Sequence, residues 1–348
     1  MRVPGIYRLK RAARRFRNRF RPTALVLLYH RVIDVSSDPQ LLCVTKKHFA
    51  EHLEVLKKRT NAISLKRLNQ NLHDKSLIGR SAVVTFDDGY ADNFHNAKPL
   101  LEQFDIPATV FVASGYVGST HEFWWDELER LLLQPGTLPA TFQLNINGST
   151  YQGKLKEWAR YGEDDYQRHR SWNVLKRDDP TLRHSQYRSL HQTLRPLAEG
   201  DRRKALNELA ALAGTMSQKG TTHRALSRDE VFRLGSHDLV EVGSHTVTHP
   251  VLSALPIAEQ RFEIQKSKNE LEEIIGHPIT NFAYPYGSRE DYTAETIALV
   301  REAGFNCACS NFADIVCQDT DPFQIPRVIV RDWDGETFAR QLRQWFLG

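Results

Sequence analysis

The sequence has few cysteines, and their spacing excludes two classes of protein. Only four occur in 348 residues: Cys43 stands alone, and Cys307, Cys309 and Cys317 lie close together. Small secreted domains carry many regularly spaced cysteines, and many structural zinc sites use paired CxxC motifs; neither pattern occurs here. We therefore expect a protein of a reducing compartment without a disulfide framework.

Long apolar runs are also lacking. The apolar segment 24–29, which follows a basic N-terminal segment, has six residues. A signal-peptide core needs ~7 to 15 and a membrane-spanning helix ~20. We expect neither feature and therefore predict a cytoplasmic protein.

The net charge is small but unevenly distributed. Lysine and arginine number 47 against 42 acidic residues, a formal charge of +5, which is too near balance to predict a nucleic-acid partner. Residues 1–21 hold nine of these cations and no acid. Within them, residues 6–20 place apolar side chains at helical spacing among arginines, which predicts a basic amphipathic helix. Such a helix would contact the anionic inner face of a membrane; a solvated arm is the alternative.

From residue 22 onward, β-rich runs alternate with helical patterns. Strands are predicted over 24–29, 82–86, 108–112, 239–243, 281–284, 305–310 and 325–330. Helices are predicted over 45–58, 91–104, 123–133, 256–275, 291–303 and 335–346, with a further short helix after Ser227. Repeated strand–helix units are typical of a parallel α/β fold.

One stretch, residues 134–225, interrupts this alternation. It is polar, with a predicted hairpin over 142–152 and helical patches near 154–160 and 185–213. We interpret it as a mostly helical lobe inserted into a domain that covers 22–348. Without the insertion about 235 residues remain, close to the ~250 of a βα barrel.

Three motifs follow predicted strands, at the end where parallel α/β folds build their sites. The first is TFDDGY, which contains Asp87, Asp88 and Gly89. Two adjacent buried carboxylates repel each other, which raises one pKa unless a cation lies beside them. A bound metal ion would relieve this repulsion; a solvated Asp-Asp-Gly turn is the alternative.

The second motif is GSHTVTHP, which contains His245 and His249. If this loop makes one helical turn, both imidazoles face the same cation; two hydrogen-bonded loop histidines are the alternative. Together with Asp88 they form a set of two histidines and one carboxylate. Such a set leaves coordination positions for water and substrate.

The third motif is FAYPYG, with Pro285 and Tyr286 after a predicted strand. Because proline has no N–H group, the next free donor is the backbone N–H of Tyr286, which could face a developing oxyanion. Taken alone, the motif also fits an ordinary turn.

In this order, the three motifs resemble those of the polysaccharide deacetylases with the NodB-homology domain, carbohydrate esterase family 4. The opening LLYHRV, the PATVFV strand and the IPRVIV strand extend the resemblance to roughly residues 24–133 and 226–346. The opening YH is similar to a branch that deacetylates exopolysaccharide. The resemblance implies an irregular (β/α)7 barrel and a divalent metal, most often zinc, with cobalt, nickel or manganese as further candidates.

Position by position, the resemblance implies roles for five residues. They are Asp87 as the general base, Asp88, His245 and His249 as the metal ligands, and Tyr286 as part of the oxyanion hole. Members of the family hydrolyse N-acetyl groups of amino sugars, so an N-acetylated saccharide is the expected substrate.

Two departures from the family's pattern concern residues that support the base and the leaving group. The arginine that usually braces the base is replaced by Ala283, and we expect Arg327 of the last strand to take its place. The usual late histidine, the general acid, is missing because no histidine follows His277. We predict His30 as its substitute; a structural histidine at a strand end is the alternative.

Two further groups have open interpretations. Asp332 and Asp334 in RDWDG are loosely similar to the family's fourth motif; the alternative is that they are surface turn residues. Four tryptophans lie in or beside the insertion and either stack on sugar rings or form core, which we expect for the first two: Trp124, Trp125, Trp158 and Trp172.

The predicted function is therefore a metal-dependent hydrolase. It would remove N-acetyl groups from amino sugars of a polysaccharide, oligosaccharide or lipid-linked glycan in cell-surface glycan biosynthesis. An O-acetyl esterase or a deformylase on the same scaffold is one alternative. A non-catalytic glycan- or membrane-binding protein is another, favoured by the missing late histidine and opposed by the intact Asp87, Asp88, His245 and His249.

Overall fold

The structure of the chain is a computed structural model that describes residues 22–214, 223–236 and 238–347. The basic segment 1–21, with its predicted helix over 6–20, lies outside these residues. Within the described part of the chain, no helix is both long enough and apolar enough to cross a membrane.

A parallel sheet forms the centre of the fold. In chain order the strands of the described residues are β1 Ala24–Tyr29, β2 Arg31–Val32, β3 Cys43–Val44, β4 Asn61–Ala62, β5 Ser81–Phe86, β6 Ala108–Val112, β7 Gly136–Thr137, β8 Thr141–Ile146, β9 Ser149–Lys154, β10 Arg160–Tyr161, β11 Val240–Ser244, β12 Asn281–Ala283, β13 Cys307–Cys309 and β14 Val328–Ile329. Seven of them follow the order β13–β12–β11–β6–β5–β1–β14, and β4 pairs with β5 beside this path. Every pairing in this sheet is parallel.

The segment 322–330 closes the curled sheet. Ile325 forms a parallel bridge with Cys309 of β13, and three residues later Val328 of β14 pairs with Leu27 of β1. The same segment therefore lies against both edges of the sheet. This closed path of seven parallel strands confirms the predicted irregular (β/α)7 barrel.

Helices surround the sheet where the sequence predicts them, with two additions. In the described residues they are Lys46–Arg59, Leu65–His73, Lys98–Phe104, Trp124–Leu133, Glu163–His169, Leu182–Leu194, Glu199–Leu212, Arg228–Gly235, Ile257–Ile275, Ala294–Glu302 and Gly335–Leu347. The helices Leu65–His73 and Glu163–His169 were not predicted, and the helical patch predicted near 154–160 is a short 3-10 helix, Lys156–Ala159, between β9 and β10. The helix after Ser227 begins with the capping box that the sequence indicates, formed with Glu230.

Burial explains why the first strands read as continuous apolar runs. All six side chains of β1 and all six of β5 are buried, because helices cover one face of the sheet and the barrel interior covers the other. Phe49, Leu53 and Leu56 of the helix Lys46–Arg59 pack in the same core. The central strands are therefore fixed on both faces, which gives the loops at their ends a rigid support.

The inserted stretch contains a hairpin and three helices. The turn of the β8–β9 hairpin uses Asn147 and Gly148, both with positive φ, as a two-residue hairpin turn requires. The predicted helical patch over 185–213 is two helices, because Pro196 lies between them and cannot continue a helix. Their apolar side chains share one core with Trp124 and neighbouring residues of the helix Trp124–Leu133.

Candidate active site

The candidate site lies at the carboxyl-terminal ends of the barrel strands. His30 follows β1, Asp87 and Asp88 follow β5, His245 follows β11, and Tyr286 lies shortly after β12. Together with His249 these residues line a cavity of about 320 Å³. Arg327 lies outside the cavity lining and contacts Asp87. The structure therefore brings all seven predicted site residues to one place.

Asp87 is held by a buried ion pair with Arg327. Two hydrogen bonds of 2.7 Å join the guanidinium Nη1 and Nη2 atoms to the two carboxylate oxygens. The guanidinium is in turn fixed by the Ser310 carbonyl, which accepts from Nε at 2.8 Å, and by the Thr85 hydroxyl at 3.3 Å from Nη1. Burial by itself would raise the pKa of Asp87, but the neighbouring guanidinium outweighs it and keeps that pKa below the ordinary 3.8. Asp87 is therefore ionised at neutral pH.

Asp88, His245 and His249 form a compact set of potential metal ligands. One ligand atom from each lies within 4.8 Å of the others. Asp88 Oδ1 lies 3.3 Å from His249 Nε2 and 3.7 Å from His245 Nε2. All three side chains are buried, so a cation here would be bound in a low-dielectric surrounding.

The donor set fits a divalent cation. Asp88 Oδ1 and His245 Nε2 are buried and have no hydrogen-bond partner among the described residues, although buried polar atoms are normally paired. Burial raises the pKa of Asp88 well above its ordinary value, and the carboxylate of Asp87 adds to this shift. A metal ion would satisfy the lone pairs and remove the cause of the raised pKa.

The imidazoles are oriented for this task by their surroundings. His245 Nδ1 donates to the carbonyl of Ala283 at 2.8 Å, so Nε2 carries the free lone pair. Glu263 accepts from the backbone N–H groups of Val247 and Thr248, each at 2.8 Å, which fixes the loop between the two histidines. Burial lowers the pKa of His245 and lowers that of His249 well below the ordinary 6.5. Both rings are therefore neutral, the state that binds metal.

The loops that carry the site adopt a rarely populated backbone conformation. Four residues that are not glycine have φ in the left-handed region: Asp88 at 74°, Thr246 at 66°, His249 at 55° and Tyr286 at 59°. Such residues cost free energy unless the surrounding structure requires them, and they concentrate at functional sites. Here the three motif loops each contain at least one.

The neighbour of Asp88, Gly89, is in the left-handed region as well, with φ of 79°. A Cβ atom at this position would lie 3.1 Å from Val112 Cγ1. Glycine is therefore needed both for the turn and for the close approach of β6.

Tyr286 is held on several sides. Its hydroxyl accepts a hydrogen bond from Trp124 Nε1 at 3.3 Å, and the guanidinium of Arg195 lies 4.2 Å from its ring centroid. Its ring also contacts that of His249 edge-on, with centroids 4.7 Å apart. The backbone N–H of Tyr286 has no acceptor among the described residues, so this donor is available to a bound molecule.

His30 lines the cavity near Asp87. Its backbone carbonyl accepts from Asn93 Nδ2 at 2.8 Å, and Asp92 holds the next two residues through Arg31 Nε and the N–H of Val32. Burial lowers the pKa of the His30 imidazole to about 4, although the charge of Asp87 opposes this shift. The ring is therefore neutral at neutral pH.

The inserted lobe contributes residues to the cavity that were not predicted. His191 and Arg195, at the end of the helix Leu182–Leu194, both line it. Arg195 also forms an ion pair of 2.6 Å with Asp291 of the barrel. Their only signal in the sequence is a position within a polar helical pattern, which does not distinguish them from surface residues.

The two tryptophans of the helix Trp124–Leu133 are buried, as expected for core residues. Trp125 lies at the edge of this core. Its indole N–H donates to the hydroxyl of Tyr90 at 2.7 Å, its ring contacts that of His249, and it also lines the cavity. Core packing and a place in the cavity wall are thus combined in one residue.

Asp332, considered above as part of a fourth motif, does not line the cavity. Its carboxylate accepts from the backbone N–H and the hydroxyl of Thr45 and lies 2.7 Å from His48 Nδ1. Asp334 accepts from the N–H of Thr337 at the start of the last helix. Asp332 therefore joins two structural elements at the surface and Asp334 caps the last helix, in agreement with the alternative that they are surface turn residues.

A second group of potential metal ligands lies in another cavity. Asp126, Glu129 and His223 have ligand atoms within 4.8 Å of one another, but Asp126 Oδ2 already accepts a hydrogen bond from Tyr90 at 2.7 Å. Of the two groups, it is the set of Asp88, His245 and His249 that contains buried ligand atoms without a hydrogen-bond partner among the described residues.

The sequence matches a family model described as Polysaccharide deacetylase. The matched residues, 74–162 and 207–308, make up more than half of the chain. The chain therefore belongs to the polysaccharide deacetylase family, whose members are deacetylases. The unmatched gap at 163–206 lies within the inserted lobe.

Comparisons with particular proteins agree with this family. YxkH of Bacillus subtilis (strain 168), whose name places it among the polysaccharide deacetylases, is 28% identical over 138 residues, 38% of this chain and 48% of YxkH. The match thus spans about half the length of that relative.

Solved structures show the same fold. Deacetylase PplD of Streptococcus pyogenes, solved in complex with acetate, superposes with a TM-score of 0.56 over 92% of this chain and 98% of its own, at 14% identity. IcaB from Ammonifex degensii superposes with a TM-score of 0.56 over 94% of this chain and 98% of its own, at 18% identity. At these identities the likeness establishes the fold.

Proposed function

We propose that this chain is a metal-dependent hydrolase that removes N-acetyl groups from amino sugars of a polysaccharide, oligosaccharide or lipid-linked glycan, in cell-surface glycan biosynthesis. One observation carries the proposal. An ionised carboxylate, held by Arg327, lies beside a buried set of two histidines and a carboxylate, in which Asp88 Oδ1 and His245 Nε2 have no hydrogen-bond partner among the described residues. Hydrolysis of an amide needs both a proton acceptor and a centre that activates water and the carbonyl group.

Asp88, His245 and His249 would hold the cation, and we take zinc as the first candidate, with cobalt, nickel and manganese suiting the same ligands. When bound, such an ion supplies a water of lowered pKa and polarises the substrate carbonyl. The remaining steps are carried out by other residues of the cavity.

Asp87 accepts the proton of the attacking water at a carboxylate oxygen. Arg327 positions this carboxylate and keeps it ionised, so that it is ready to accept a proton at neutral pH. The backbone N–H of Tyr286 donates a hydrogen bond to the oxygen that becomes negatively charged as the acetamide carbonyl is attacked. The contacts of the Tyr286 side chain keep this donor in place.

His30 passes a proton to the leaving nitrogen. Its imidazole is neutral before the reaction because burial lowers its pKa to about 4, so the proton has to come from within the site. Asp87, once protonated, is a suitable source, because its own pKa is held below 3.8. Transfer from Asp87 through His30 to the nitrogen returns Asp87 to its ionised state.

The substrate is an N-acetylated saccharide, in agreement with the family. IcaB and the BpsB deacetylase domain are among the proteins with the same fold, and the TFDDGY, HTVTH and YPYG motifs together with YH at residues 29–30 favour an exopolysaccharide-related substrate. We place the enzyme in the cytoplasm, in peripheral contact with the anionic inner face of the membrane through residues 1–21.

The test combines turnover with metal content. Acetate release from N-acetylated amino-sugar oligomers is measured with and without added zinc, and bound metal is measured by elemental analysis. We expect Asp87→Asn to retain the metal and lose roughly 10²- to 10⁴-fold in turnover, whereas His245→Ala loses both. Asp332→Asn, which changes a carboxylate outside the cavity, serves as the matched control and keeps both.

Three outcomes would contradict the proposal. Equal metal content in the wild-type protein and His245→Ala would reject the ligand assignment. Faster release from O-acetylated or N-formylated sugars than from N-acetylated ones would indicate an esterase or a deformylase. Saccharide binding by the zinc-loaded protein without any release would indicate a non-catalytic protein.

A further inference from the structure

A basic groove lies at the end of the barrel away from the candidate active site. We define it by four exposed cations that line one cavity of about 440 Å³: Lys58, Arg59, Arg80 and Arg343. None of the described residues that line this cavity is acidic. Arg59, Arg80 and Arg343 form no ion pair with any residue of the described ranges, and Lys58 pairs with Glu54. The groove therefore carries a concentrated and largely uncompensated positive charge.

Stabilisation of a helix end accounts for only two of the four cations. Lys58 and Arg59 lie in the last turn of the helix Lys46–Arg59, where cations interact favourably with the helix dipole. Arg80 lies in a loop directly before β5, and Arg343 belongs to the last helix but not to its last turn. Three separate elements thus place cations in one groove, which no single helix requires.

Apolar side chains share the groove with these cations. Leu342 and Ala339 form a buried part of its lining, while Phe346 is half-buried and Leu347 is exposed. Cations beside exposed apolar groups are typical of surfaces that bind anionic lipid, because the charges contact headgroups while the apolar groups enter the acyl boundary. A surface that binds nucleic acid through its phosphates does not need these apolar side chains.

The groove adjoins the point where residues 1–21 join the described chain. Thr23 lines the cavity, and a Cβ atom on Gly79 of the same groove would lie 3.8 Å from the Cα of Pro22. Residues 1–21 carry nine further cations and no acid. The charge of that segment is therefore attached beside the charge of the groove.

We infer that the basic groove of the folded barrel is a docking surface for anionic phospholipid headgroups at a bilayer surface. The inference extends the proposed membrane contact from residues 1–21 to the folded body, and it does not depend on the deacetylase reaction. Four cations near a bilayer make a substantial contribution, because each strengthens binding to anionic lipid about five-fold.

The docking surface would also fix the orientation of the enzyme. Thr23 precedes β1 and lines the groove, whereas His30 follows β1 and lines the candidate active site. Six strand residues at about 3.3 Å each separate these ends by roughly 20 Å. The active site therefore faces away from the surface to which the groove binds.

The test measures the partition of the full chain onto vesicles of phosphatidylcholine with or without phosphatidylglycerol, by co-sedimentation at low salt. Arg80→Glu/Arg343→Glu reverses two charges of the groove. Lys154→Glu/Arg160→Glu reverses two exposed charges of the inserted lobe and produces the same net charge. We expect the groove variant to bind anionic vesicles at least about thirty-fold more weakly and the lobe variant to bind like the wild type.

Several results would overturn the inference. An equal loss of vesicle binding in both variants would show that net charge alone matters. Unchanged vesicle binding in the groove variant would show that the groove is not used. Binding to duplex DNA that depends on the groove, while vesicles are not bound, would identify a different partner. Thermal unfolding checks that each variant is folded. If the charge reversal unfolds the protein, Arg80→Gln/Arg343→Gln replaces it, with an expected loss of about thirty-fold, and an unchanged partition of this variant would overturn the inference equally.

Discussion

Replacing Arg327 by methionine should destabilise the protein strongly and move its activity to higher pH. The guanidinium is fully buried and makes two hydrogen bonds of 2.7 Å to Asp87, so its removal leaves a buried carboxylate without a partner. Breaking a buried ion pair in this way costs about 3–5 kcal/mol in the free energy of unfolding. The pKa of Asp87 should rise, because the cation that lowers it is gone. The acid limb of the pH profile of kcat/KM should therefore move to higher pH.

The pH dependence of stability has a defined sign. A carboxyl group whose pKa is lowered by folding stabilises the native state above its ordinary pKa of 3.8 and loses that effect as the pH falls through its folded value. The stability difference between the wild type and Arg327→Met should therefore be largest at neutral pH, begin to shrink once the pH falls below the raised pKa of Asp87 in the variant, and be small at strongly acidic pH.

The assay is denaturant unfolding of chelator-treated protein, so that metal binding does not contribute. It compares the wild type, Arg327→Met, Asp87→Asn and the double variant. The double variant has no buried charge at either position. Its loss in the free energy of unfolding should therefore be clearly smaller than the sum of the losses of the two single variants. Additive losses, or an unchanged acid limb in Arg327→Met, would refute the assignment of Arg327 as the residue that holds Asp87.

Two further predictions concern stability. Burial lowers the pKa of His52, His184 and His191 to about 4; the unfolded chain therefore binds protons at these rings that the folded chain does not, and their contribution to the free energy of unfolding should fall as the pH drops from 6.5 to 4. His52→Phe removes one of these rings, so its free energy of unfolding, measured by urea unfolding, should fall less than that of the wild type over this range; an equal fall would contradict the burial of His52. Gly243→Ala should cost about 1–3 kcal/mol, because its Cβ would lie 2.4 Å from Phe111 Cδ1; a thermal midpoint equal to that of the wild type would show that this contact can relax.

Much of the barrel could be predicted because its strands are buried on both faces. β1 and β6 were predicted with their observed bounds, since continuous apolar runs between turn residues mark such strands. The three motif loops were located in the same way, because a parallel fold gathers the ends of its strands. Arg327 could be named because the family resemblance implies an arginine that braces the base, and Arg327 lies in the predicted strand 325–330.

Other features depend on tertiary contacts that a local pattern does not contain. The helix predicted over 91–104 begins as a π-helix, Asn93–Ala97. In this segment, Asn93 and Asn96 donate to the carbonyls of His30 and Val32. Neither amide has a signal in the sequence that distinguishes it from a solvent-facing residue. His191 and Arg195 were missed for the same reason, because only the docking of the inserted lobe brings them to the cavity.

The attachment of the inserted lobe to the barrel has a consequence for how substrate range can change. Arg195 of the lobe joins Asp291 and also contacts the ring of Tyr286. Exchanging the lobe for that of another family member, as a modular graft, would therefore also release the loop that carries the oxyanion donor. A change of sugar preference made through the lobe has to preserve or rebuild these tethers, or catalytic rate will fall together with the old selectivity.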